Sequence, residues 1–286
     1  MTTGFLVVDK PSGITSHDVV DEVRRATGIR KAGHTGTLDP LATGVVVVAV
    51  GGVTRLIRFL QDLDKEYVAT ARFGVATDTL DADGAVTDEV PMDVTIDDLE
   101  SVRSQFVGEI QQIPPMVSAL KKDGQRLYDL ARQGLEVERE SRTIHVHELE
   151  FLDVGDGEHP LVTFRVVCGK GTYVRSLADD LARALGGFAH LTTLRRTRNG
   201  ALTAEAAVPV DQLDRWMEHL VTPSDALSHL PILEADEEMV RLVGHGRSLT
   251  AEGRSGGLVR VLGTDGTLIA VYRIEDGVAR PEVVLA

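Results

Sequence analysis

A single carboxylate, Asp39, lies in the glycine-rich segment Gly33–Gly44, whose composition restricts the backbone. Pro40 follows the acid directly and favours an extended conformation at Asp39, while three glycines relax the chain around it. The apolar run Val45–Val50 comes next and predicts a buried strand. A fixed acid beside a buried strand could act as a nucleophile. An aspartate that caps a turn has the same local pattern, and this segment alone favours that structural interpretation.

A second candidate is Arg175, which follows the predicted strand-to-helix turn at Cys168–Thr172. It falls in the first turn of a predicted helix, where a cation is unfavourable for the helix dipole. An arginine at a position that disfavours a cation suggests a functional role for its charge. The alternative, an exposed arginine without such a role, is slightly favoured by the sequence alone. The turn lacks the Gly-Lys-Ser/Thr order and the upstream glycine of a phosphate-binding loop.

Histidines and one tyrosine are weaker candidates. His34 gains weight because it lies five residues before Asp39 in the same segment. Tyr67 begins a predicted strand, where a core tyrosine is the default interpretation. His145 and His147 share one face of a predicted strand, but no third ligand for a metal is apparent, which favours surface histidines.

An acidic run, Thr79–Gly84, has some features of a calcium-binding loop. If Gly84 takes the sixth position of an EF-hand, Thr79 stands where the first aspartate belongs and Val90 where the bidentate glutamate belongs. Two ligands are therefore missing, and we expect a solvated acidic loop.

Apolar periodicity and turn residues give the expected order of elements. A helix begins at the predicted N-cap Ser16, and another covers 172–185 with Leu177, Leu181 and Leu185 on one face. Further predicted helices cover 54–60, 95–106, 124–132, 210–217 and 236–243. Predicted strands cover 5–9, 45–50, 67–73, 143–154, 161–168, 190–196, 258–262 and 268–274. Because helices and strands do not alternate regularly, we expect an α+β fold with a mixed, largely antiparallel sheet.

The length of 286 residues allows about two domains. Residues 1–225 hold most of the predicted elements, and a connector near 222–231 leads into a smaller part at 231–286. Its short strands are joined at Asp265-Gly266, a pair typical of hairpin turns. We therefore expect a larger α+β domain followed by a small, mostly β domain.

Composition indicates a soluble globular protein of the cytoplasm. Hydrophobic residues make up 43% of the chain, and the start runs straight into a predicted strand rather than a signal peptide. The longest apolar run, Val45–Val50, is far shorter than the ~20 residues that span a bilayer. The single cysteine, Cys168, excludes an internal disulfide and a cysteine-based zinc site, and we expect it to pack in a strand.

The net charge of −14 is unevenly distributed along the chain. Residues 61–100 carry 12 acids against 2 bases, whereas basic residues cluster elsewhere. These clusters are Arg24-Arg25, Arg30-Lys31, Lys121-Lys122 and Arg195-Arg196-x-Arg198. Since the local field of a cleft decides phosphate binding, the negative total does not exclude a nucleic-acid partner.

Several motifs occur in one order between residues 5 and 200, and together they resemble the bacterial TruB-type tRNA pseudouridine synthases. They are Asp9–Ser16, Gly33–Gly44, Asp64–Tyr67, Thr77–Gly84, Gln112–Lys121, Gly169–Arg175 and Leu194–Arg196. The carboxyl-terminal segment matches less sharply and is similar to the small PUA-like, RNA-binding domain of such enzymes. The resemblance implies a pseudouridine synthase catalytic domain that isomerises the T-arm uridine of tRNA.

The resemblance also implies roles for residues. Asp39 corresponds to the nucleophilic aspartate, Tyr67 to the tyrosine that packs against the target base, and Arg175 to the arginine that pairs with the aspartate. An opposite charge within a few ångströms favours the ionised carboxylate, which gives Arg175 a reason for its position. The positions that line the nucleotide pocket are His34, Tyr173 and Leu194. Lys10 and Lys65 match motif lysines, which we assign to the site or to phosphate contact.

The leading hypothesis is therefore a tRNA uridine isomerase, which we expect to be a monomer that needs no cofactor or metal and does not bind a membrane. A noncatalytic RNA-binding or RNA-folding protein is the second hypothesis, and the resemblance includes help with tRNA folding as an accompanying activity. A glycosidase with paired carboxylates is disfavoured, because the motifs carry one acid and one arginine instead of two facing acids.

Overall fold

The computed structural model describes residues 3–118, 121–122, 125–126, 135, 137–251 and 253–285. Contacts between residues divide the chain into two compact units. The first unit comprises Met1–Asp39, Gly44–Asp62 and Asn199–Ala286, and the second unit comprises Pro40–Thr43 and Leu63–Arg198.

The described strands are, in chain order, β1 (Gly4–Lys10), β2 (Ala32–His34), β3 (Thr43–Val50), β4 (Lys65–Phe73), β5 (Val75–Thr77), β6 (Val86–Glu89), β7 (Gly108–Gln112), β8 (Lys121–Lys122), β9 (Gln125–Arg126), β10 (Arg142–Val154), β11 (Leu161–Cys168), β12 (Ala189–Asn199), β13 (Leu202–Thr203), β14 (Val208–Pro209), β15 (Leu220–Val221), β16 (Ile232–Glu234), β17 (Leu249–Thr250), β18 (Gly257–Leu262), β19 (Leu268–Glu275) and β20 (Val278–Val284). The described α-helices are α1 (Ser16–Thr27), α2 (Ile57–Gln61), α3 (Ile96–Arg103), α4 (Val174–Ala184), α5 (Pro223–Ala226) and α6 (Glu237–Gly244). Shorter 3-10 helices span Gly51–Leu56, Ser104–Phe106, Ala204–Ala206 and Val210–His219.

In the first unit, β1 and β3 form a long antiparallel pair that runs from Gly4 opposite Val50 to Lys10 opposite Gly44. The short strand β14 joins β1 in parallel, β15 joins it antiparallel, and β2 pairs with β3. Every side chain of Val45–Val50 is fully buried. A run of β-branched residues without polar alternation suits a strand that is covered on both faces.

Helix α1 packs Val19, Val20 and Val23 inward and ends at Gly28, whose φ of +71° favours glycine. The prediction that Ser16 caps this helix is wrong. The N-cap is Thr15, which forms a reciprocal capping box with Asp18, and Ser16 is the first helical residue. Thr15 and Ser16 both carry a hydroxyl that can cap a helix, so the local sequence does not show which of the two is the N-cap.

In the second unit, five strands lie in the order β12, β4, β11, β10, β7. The pairs β4–β11, β11–β10 and β10–β7 are antiparallel. Helix α4 buries Leu177 and Leu181, as its periodicity predicts, but begins at Val174 instead of residue 172. Together with the parallel pair in the first unit, these pairings confirm the predicted α+β class and the mixed, largely antiparallel sheet.

The carboxyl-terminal part of the first unit contains a five-stranded sheet in the order β16, β18, β19, β20, β17. Strands β18 and β19 pair antiparallel around Asp265-Gly266, and Gly266 has a φ of +78°, so the predicted hairpin is confirmed. Leu233, Val261 and Tyr272 lie in the core of this sheet. The predicted small, β-rich part is confirmed, while the domain limits 1–225 and 231–286 stay a prediction.

Two predicted helices differ from the structure. The segment Val210–His219 is a 3-10 run interrupted by non-helical dihedral angles at Gln212 and Arg215. Gln125–Arg126 forms a strand, and the remainder of the predicted helix 124–132 lies outside the described residues.

Candidate active site

The segment that carries Asp39 is held to the first unit through Thr35. The backbone N–H of Thr35 donates to the carbonyl of Val47 at 3.0 Å, which extends the pairing of β2 with β3. The Asn199 amide donates to the Thr35 hydroxyl at 2.9 Å, and both side chains are about 1% exposed. Gly44 returns the chain to β3 with a φ of +99°, a conformation that favours glycine. The loop is therefore held by hydrogen bonds on the amino-terminal side of Asp39, and Gly44 permits the turn on the other side.

A second buried contact holds the residue just before Asp39. The Ser16 hydroxyl accepts a hydrogen bond from the Leu38 N–H at 2.7 Å and donates to the Leu38 carbonyl at 3.3 Å. Ser16 is 1% exposed and Leu38 3%, whereas Asp39 itself is partly buried. The start of α1 thereby fixes the backbone on the amino-terminal side of the carboxylate.

Lys10 and His34 lie in the same unit as Asp39. Lys10 ends β1 with a fully buried side chain, and its ammonium donates to the carbonyls of Pro11 and Ile14 at 2.9 and 2.7 Å. These bonds hold the turn that leads into α1. His34 is the last residue of β2 and is partly buried.

Lys65 and Tyr67 lie on β4 in the second unit and point to the same buried face, with exposures of 6% and 9%. Glu66, on the other face, accepts hydrogen bonds from Arg165 and from the Thr197 hydroxyl, each at 2.8 Å. Burial favours the neutral form of Glu66, but the bonds from Thr197 and Arg165 outweigh it and hold the pKa below its usual value. This network fastens β4 at the position of Tyr67.

Arg175 is buried, with 3% of its side chain exposed, so the preference for an exposed arginine is wrong. Its guanidinium donates to the carbonyls of Thr79 and Val117, both at 2.8 Å, and approaches the carboxylate of Asp81 to 3.3 Å. The unfavourable position in the first turn of α4 is thus offset by carbonyl and carboxylate partners within the second unit.

The acidic run is not a solvated loop at its centre, which corrects the expectation for Thr79–Gly84. Asp81 is 6% exposed, and its carboxylate accepts hydrogen bonds from the Thr79 hydroxyl at 2.5 Å and the Asp83 N–H at 3.2 Å. Leu80 has a φ of +61°, unusual for a branched side chain, and its carbonyl accepts from the Leu191 N–H at 3.0 Å. Sequence reasoning missed Asp81 as the ion-pair partner of Arg175, because the two lie 94 positions apart in the chain, which leaves no local signal.

Tyr173 and Leu194 also belong to the second unit. Tyr173 precedes α4, and the Gln112 side-chain amide accepts from its N–H at 2.8 Å and donates to its carbonyl at 3.0 Å. Gln112 is only 2% exposed, so this pair of bonds fixes the start of the helix that carries Arg175. Leu194 lies on β12 and is 7% exposed.

The remaining candidate groups are two histidines on β10 and the single cysteine, which pairs with Lys65 across β11 and β4. His145 and His147 are exposed on β10, with ring centroids 4.4 Å apart, and His147 contacts Asp64 at 2.9 Å. Cys168 is buried at the end of β11, as predicted, and burial raises the pKa of its thiol to about 11. The described part of the chain contains no cluster of three histidine, cysteine, aspartate or glutamate side chains able to hold a metal ion. None of the described helices is long and apolar enough to cross a membrane.

Comparison with known families decides the classification. A family model described as TruB family pseudouridylate synthase, N-terminal domain, matches residues 24–174, which is more than half of the chain. The chain belongs to this family. Two further models match the residues that follow: the tRNA pseudouridylate synthase B C-terminal domain at residues 175–230 and tRNA pseudouridine synthase II, C terminal, at residues 230–286.

Curated relatives cover nearly the whole chain. The tRNA pseudouridine synthase B of Aromatoleum aromaticum is 46% identical over 265 residues, covering 91% of this chain and 85% of the relative. The protein of that name from Burkholderia pseudomallei strain 668 is 44% identical over 293 residues, covering 98% and 95%. The predicted family and enzyme class, a pseudouridine synthase and thus an isomerase, are confirmed.

Two solved structures share the fold of this chain. A crystal structure of a Cbf5-Nop10-Gar1 complex superposes with a TM-score of 0.77 at 30% identity, covering 99% of this chain and 85% of the other. A structure of an H/ACA RNP bound to a substrate RNA containing 2′-deoxyuridine gives a TM-score of 0.75 at 28% identity, with coverage of 99% and 85%.

Proposed function

We propose that this TruB-family enzyme isomerises one uridine in the T arm of tRNA to pseudouridine, with Asp39 as the nucleophilic residue. The observation that carries the proposal is the bracing of the Asp39 loop. Buried hydrogen bonds at Thr35 and Leu38 fix the backbone on the amino-terminal side of the acid, and Gly44 permits the positive φ with which the chain enters β3. A nucleophile needs a defined direction of attack, and such bracing supplies it.

The other predicted residues take complementary roles in this proposal. Tyr67 packs against the target base, and Arg175 pairs with Asp39. The burial of Tyr67 on β4 and the anchoring of Arg175 by two carbonyls support these roles, because a stacking ring and a charge partner both need fixed positions. In this proposal the nucleotide pocket is lined by His34, Tyr173 and Leu194. Of the two alternatives for Lys10 and Lys65, a place within the site fits their burial better than contact with a phosphate.

The reaction requires only groups that the chain itself provides. The glycosidic bond breaks, the base turns, and a carbon–carbon bond forms, so reactant and product have the same atoms and oxidation level. Attack on the sugar, attack on the base and assistance of proton removal from the sugar all use an ionised carboxylate at Asp39. Arg175 would favour that ionised form by its opposite charge.

Access to the uridine requires that the base leave the folded loop. Base flipping costs a few kcal/mol, and stacking on an aromatic ring such as Tyr67 recovers roughly 1–3 kcal/mol. Basic clusters such as Arg24-Arg25 and Arg30-Lys31, with the PUA-like carboxyl-terminal part, would hold the tRNA by its shape and backbone. We propose that the protein acts as a monomer in the cytoplasm and that the same contacts assist tRNA folding.

A T-arm stem-loop tests this proposal when it is incubated with wild type, Asp39→Asn and Asp21→Asn. Asp21 is the matched control, because it is an exposed acid on α1 that pairs with Arg24. We expect pseudouridine from wild type and Asp21→Asn, a rate lower by about a thousandfold or more for Asp39→Asn, and similar RNA affinity for all three. Wild-type turnover by Asp39→Asn would refute the nucleophile, and tight binding without turnover by wild type would favour a binding protein.

A further inference from the structure

The Ser16 hydroxyl makes a contact that the fold of its own helix does not require. It bonds both polar groups of Leu38, 22 residues away in sequence, and both residues are at most 3% exposed. A buried hydroxyl is unfavourable unless it is paired, and here its donor and one of its acceptor sites are both paired with this one residue.

The N-terminus of α1 is already capped without Ser16. The Asp18 N–H donates to the Thr15 hydroxyl at 3.1 Å, and the Thr15 N–H donates to the Asp18 carboxylate at 2.8 Å. Alanine has a higher helix propensity than serine at a helical position. The helix itself therefore gives no reason for a hydroxyl at position 16, and the reason lies in Leu38.

The bond to the Leu38 carbonyl acts directly on Asp39. The carbonyl of Leu38 and the N–H of Asp39 belong to one planar peptide group, so orienting the first orients the second. The bond from the Leu38 N–H fixes the preceding peptide plane in the same way. Ser16 thus restrains the two peptide planes that lead into Asp39. These planes hold the Asp39 Cα and its N–Cα axis, so that rotation about φ is the motion that remains to turn the Cα–Cβ bond.

We propose that Ser16 is a positioning residue that sets the direction of the Asp39 carboxylate toward the uridine. This inference rests on the proposed role of Asp39 as nucleophile. Ser16 does not touch the substrate in this account. It acts only through the backbone of Leu38, so its loss changes the rate of the chemical step and leaves RNA binding unchanged.

The test compares Ser16→Ala with Thr15→Ala in the full-length protein, with the T-arm stem-loop as substrate. Single-turnover rate constants at saturating enzyme, Kd for the RNA and Tm are measured for each variant. We expect Ser16→Ala to lower the rate constant by about 10- to 100-fold with Kd within about twofold, because a misplacement of about 1 Å can cost that much. Thr15→Ala removes the helix cap and lowers Tm by roughly 2–4 °C, with a rate constant within about twofold of wild type.

Ser16→Thr keeps the hydroxyl and separates its role from simple packing. Its rate constant should recover most of the loss seen in Ser16→Ala, and it remains informative if the alanine variant does not fold. A threonine variant that is folded but as slow as the alanine variant would overturn the proposal. Equal rate constants for Ser16→Ala and Thr15→Ala would do so as well.

The Asp39→Asn variant distinguishes failure of this inference from failure of the proposed function. If Asp39→Asn is inactive and Ser16→Ala turns over at the wild-type rate, the positioning role is refuted while the nucleophile stands. If Asp39→Asn turns over normally, the nucleophile is refuted, and the positioning role falls with it.

Discussion

The two units hold their predicted site residues by different means. In the first unit, a neutral hydroxyl holds the backbone, since Ser16 bonds both polar groups of Leu38 beside Asp39. In the second unit, the charged side chain itself is held, since Arg175 donates to two carbonyls and pairs with Asp81. In the first unit the backbone next to Asp39 is held, whereas in the second unit the guanidinium of Arg175 is held directly by its hydrogen-bond and ion-pair partners.

This difference predicts separate responses to mutation. Loss of the Ser16 hydroxyl leaves the buried N–H and carbonyl of Leu38 unpaired, at about 1–3 kcal/mol of stability for each group, but it leaves no unpaired charge. Loss of one member of a buried ion pair leaves an uncompensated charge, which costs about 3–5 kcal/mol. Changes at Arg175 or Asp81 should therefore lower stability and turnover together.

The largest expected effect on stability comes from Arg175→Met. This change leaves the buried carboxylate of Asp81 uncompensated and two carbonyls without their donor, so we expect a loss of about 3–5 kcal/mol in the free energy of unfolding. Urea denaturation of the full-length protein measures it. Arg103→Met is the matched control, because Arg103 and its partner Glu100 on α3 are both about half exposed, so their ion pair should contribute at most about 1 kcal/mol. Equal losses in the two variants would break the contrast between the units.

A smaller effect is expected from Asp81→Asn. The amide keeps an oxygen for the Thr79 hydroxyl and the Asp83 N–H but removes the charge that faces Arg175, so we expect a loss of about 1–3 kcal/mol. Asp83→Asn changes an exposed acid two residues away and should have little effect on unfolding. If Asp81→Asn is as stable as Asp83→Asn, the ion pair with Arg175 contributes nothing to the second unit.

The smallest expected effect concerns Asp180, another charged residue on α4. Partners stabilise the charge of Arg175, whereas the surroundings of Asp180 disfavour its charge. Burial, followed by the neighbouring charge of Asp179, raises the pKa of Asp180 from 3.8 to about 6. Between these values the folded protein holds a proton that the unfolded chain releases, so Asp180 costs stability as pH rises from about 4 to 6.

Asp180→Asn should therefore raise Tm by roughly 2–6 °C at pH 7.5, and the gain should vanish near pH 4. Thermal unfolding at both pH values checks this sign. Asp179→Asn is the control, because the Asp179 carboxylate accepts hydrogen bonds from Arg183 and the Ala189 N–H. Neutralising it should therefore lower the stability of the protein. A gain for Asp180→Asn that is equally large at pH 4 would contradict the titration.

Local patterns predicted the elements that carry the site. The valine run at β3, the apolar face of α4 and the hairpin at Asp265-Gly266 all formed where the sequence indicated. The restriction at Asp39 was also predictable, because Pro40 limits the backbone of the residue before it through its own covalent structure, while glycine allows the unusual φ at Gly44. The periodicity of helices and strands and the preferences of turn residues involve only a few neighbouring residues. Features of this kind can therefore be predicted from short segments of the sequence.

Hydrogen bonds and ion pairs between residues far apart in the chain could not be predicted from such local patterns. Asp81 looked like one acid in a solvated run, because its partner Arg175 is 94 positions away in the chain. Ser16 was mistaken for a helix cap, because its partner Leu38 is 22 residues away and Thr15 offered the same side-chain chemistry. Burial that brings such partners together is a property of the whole fold, and one sequence does not reveal it.

The most direct test of the central claim is a nucleotide-resolution map of pseudouridine in unmodified tRNA treated with the purified protein. The account predicts new pseudouridine at one uridine of the T loop with wild type, and none there with Asp39→Asn under the same conditions. Pseudouridine at other positions only, or an unchanged T-loop signal with Asp39→Asn, would contradict it.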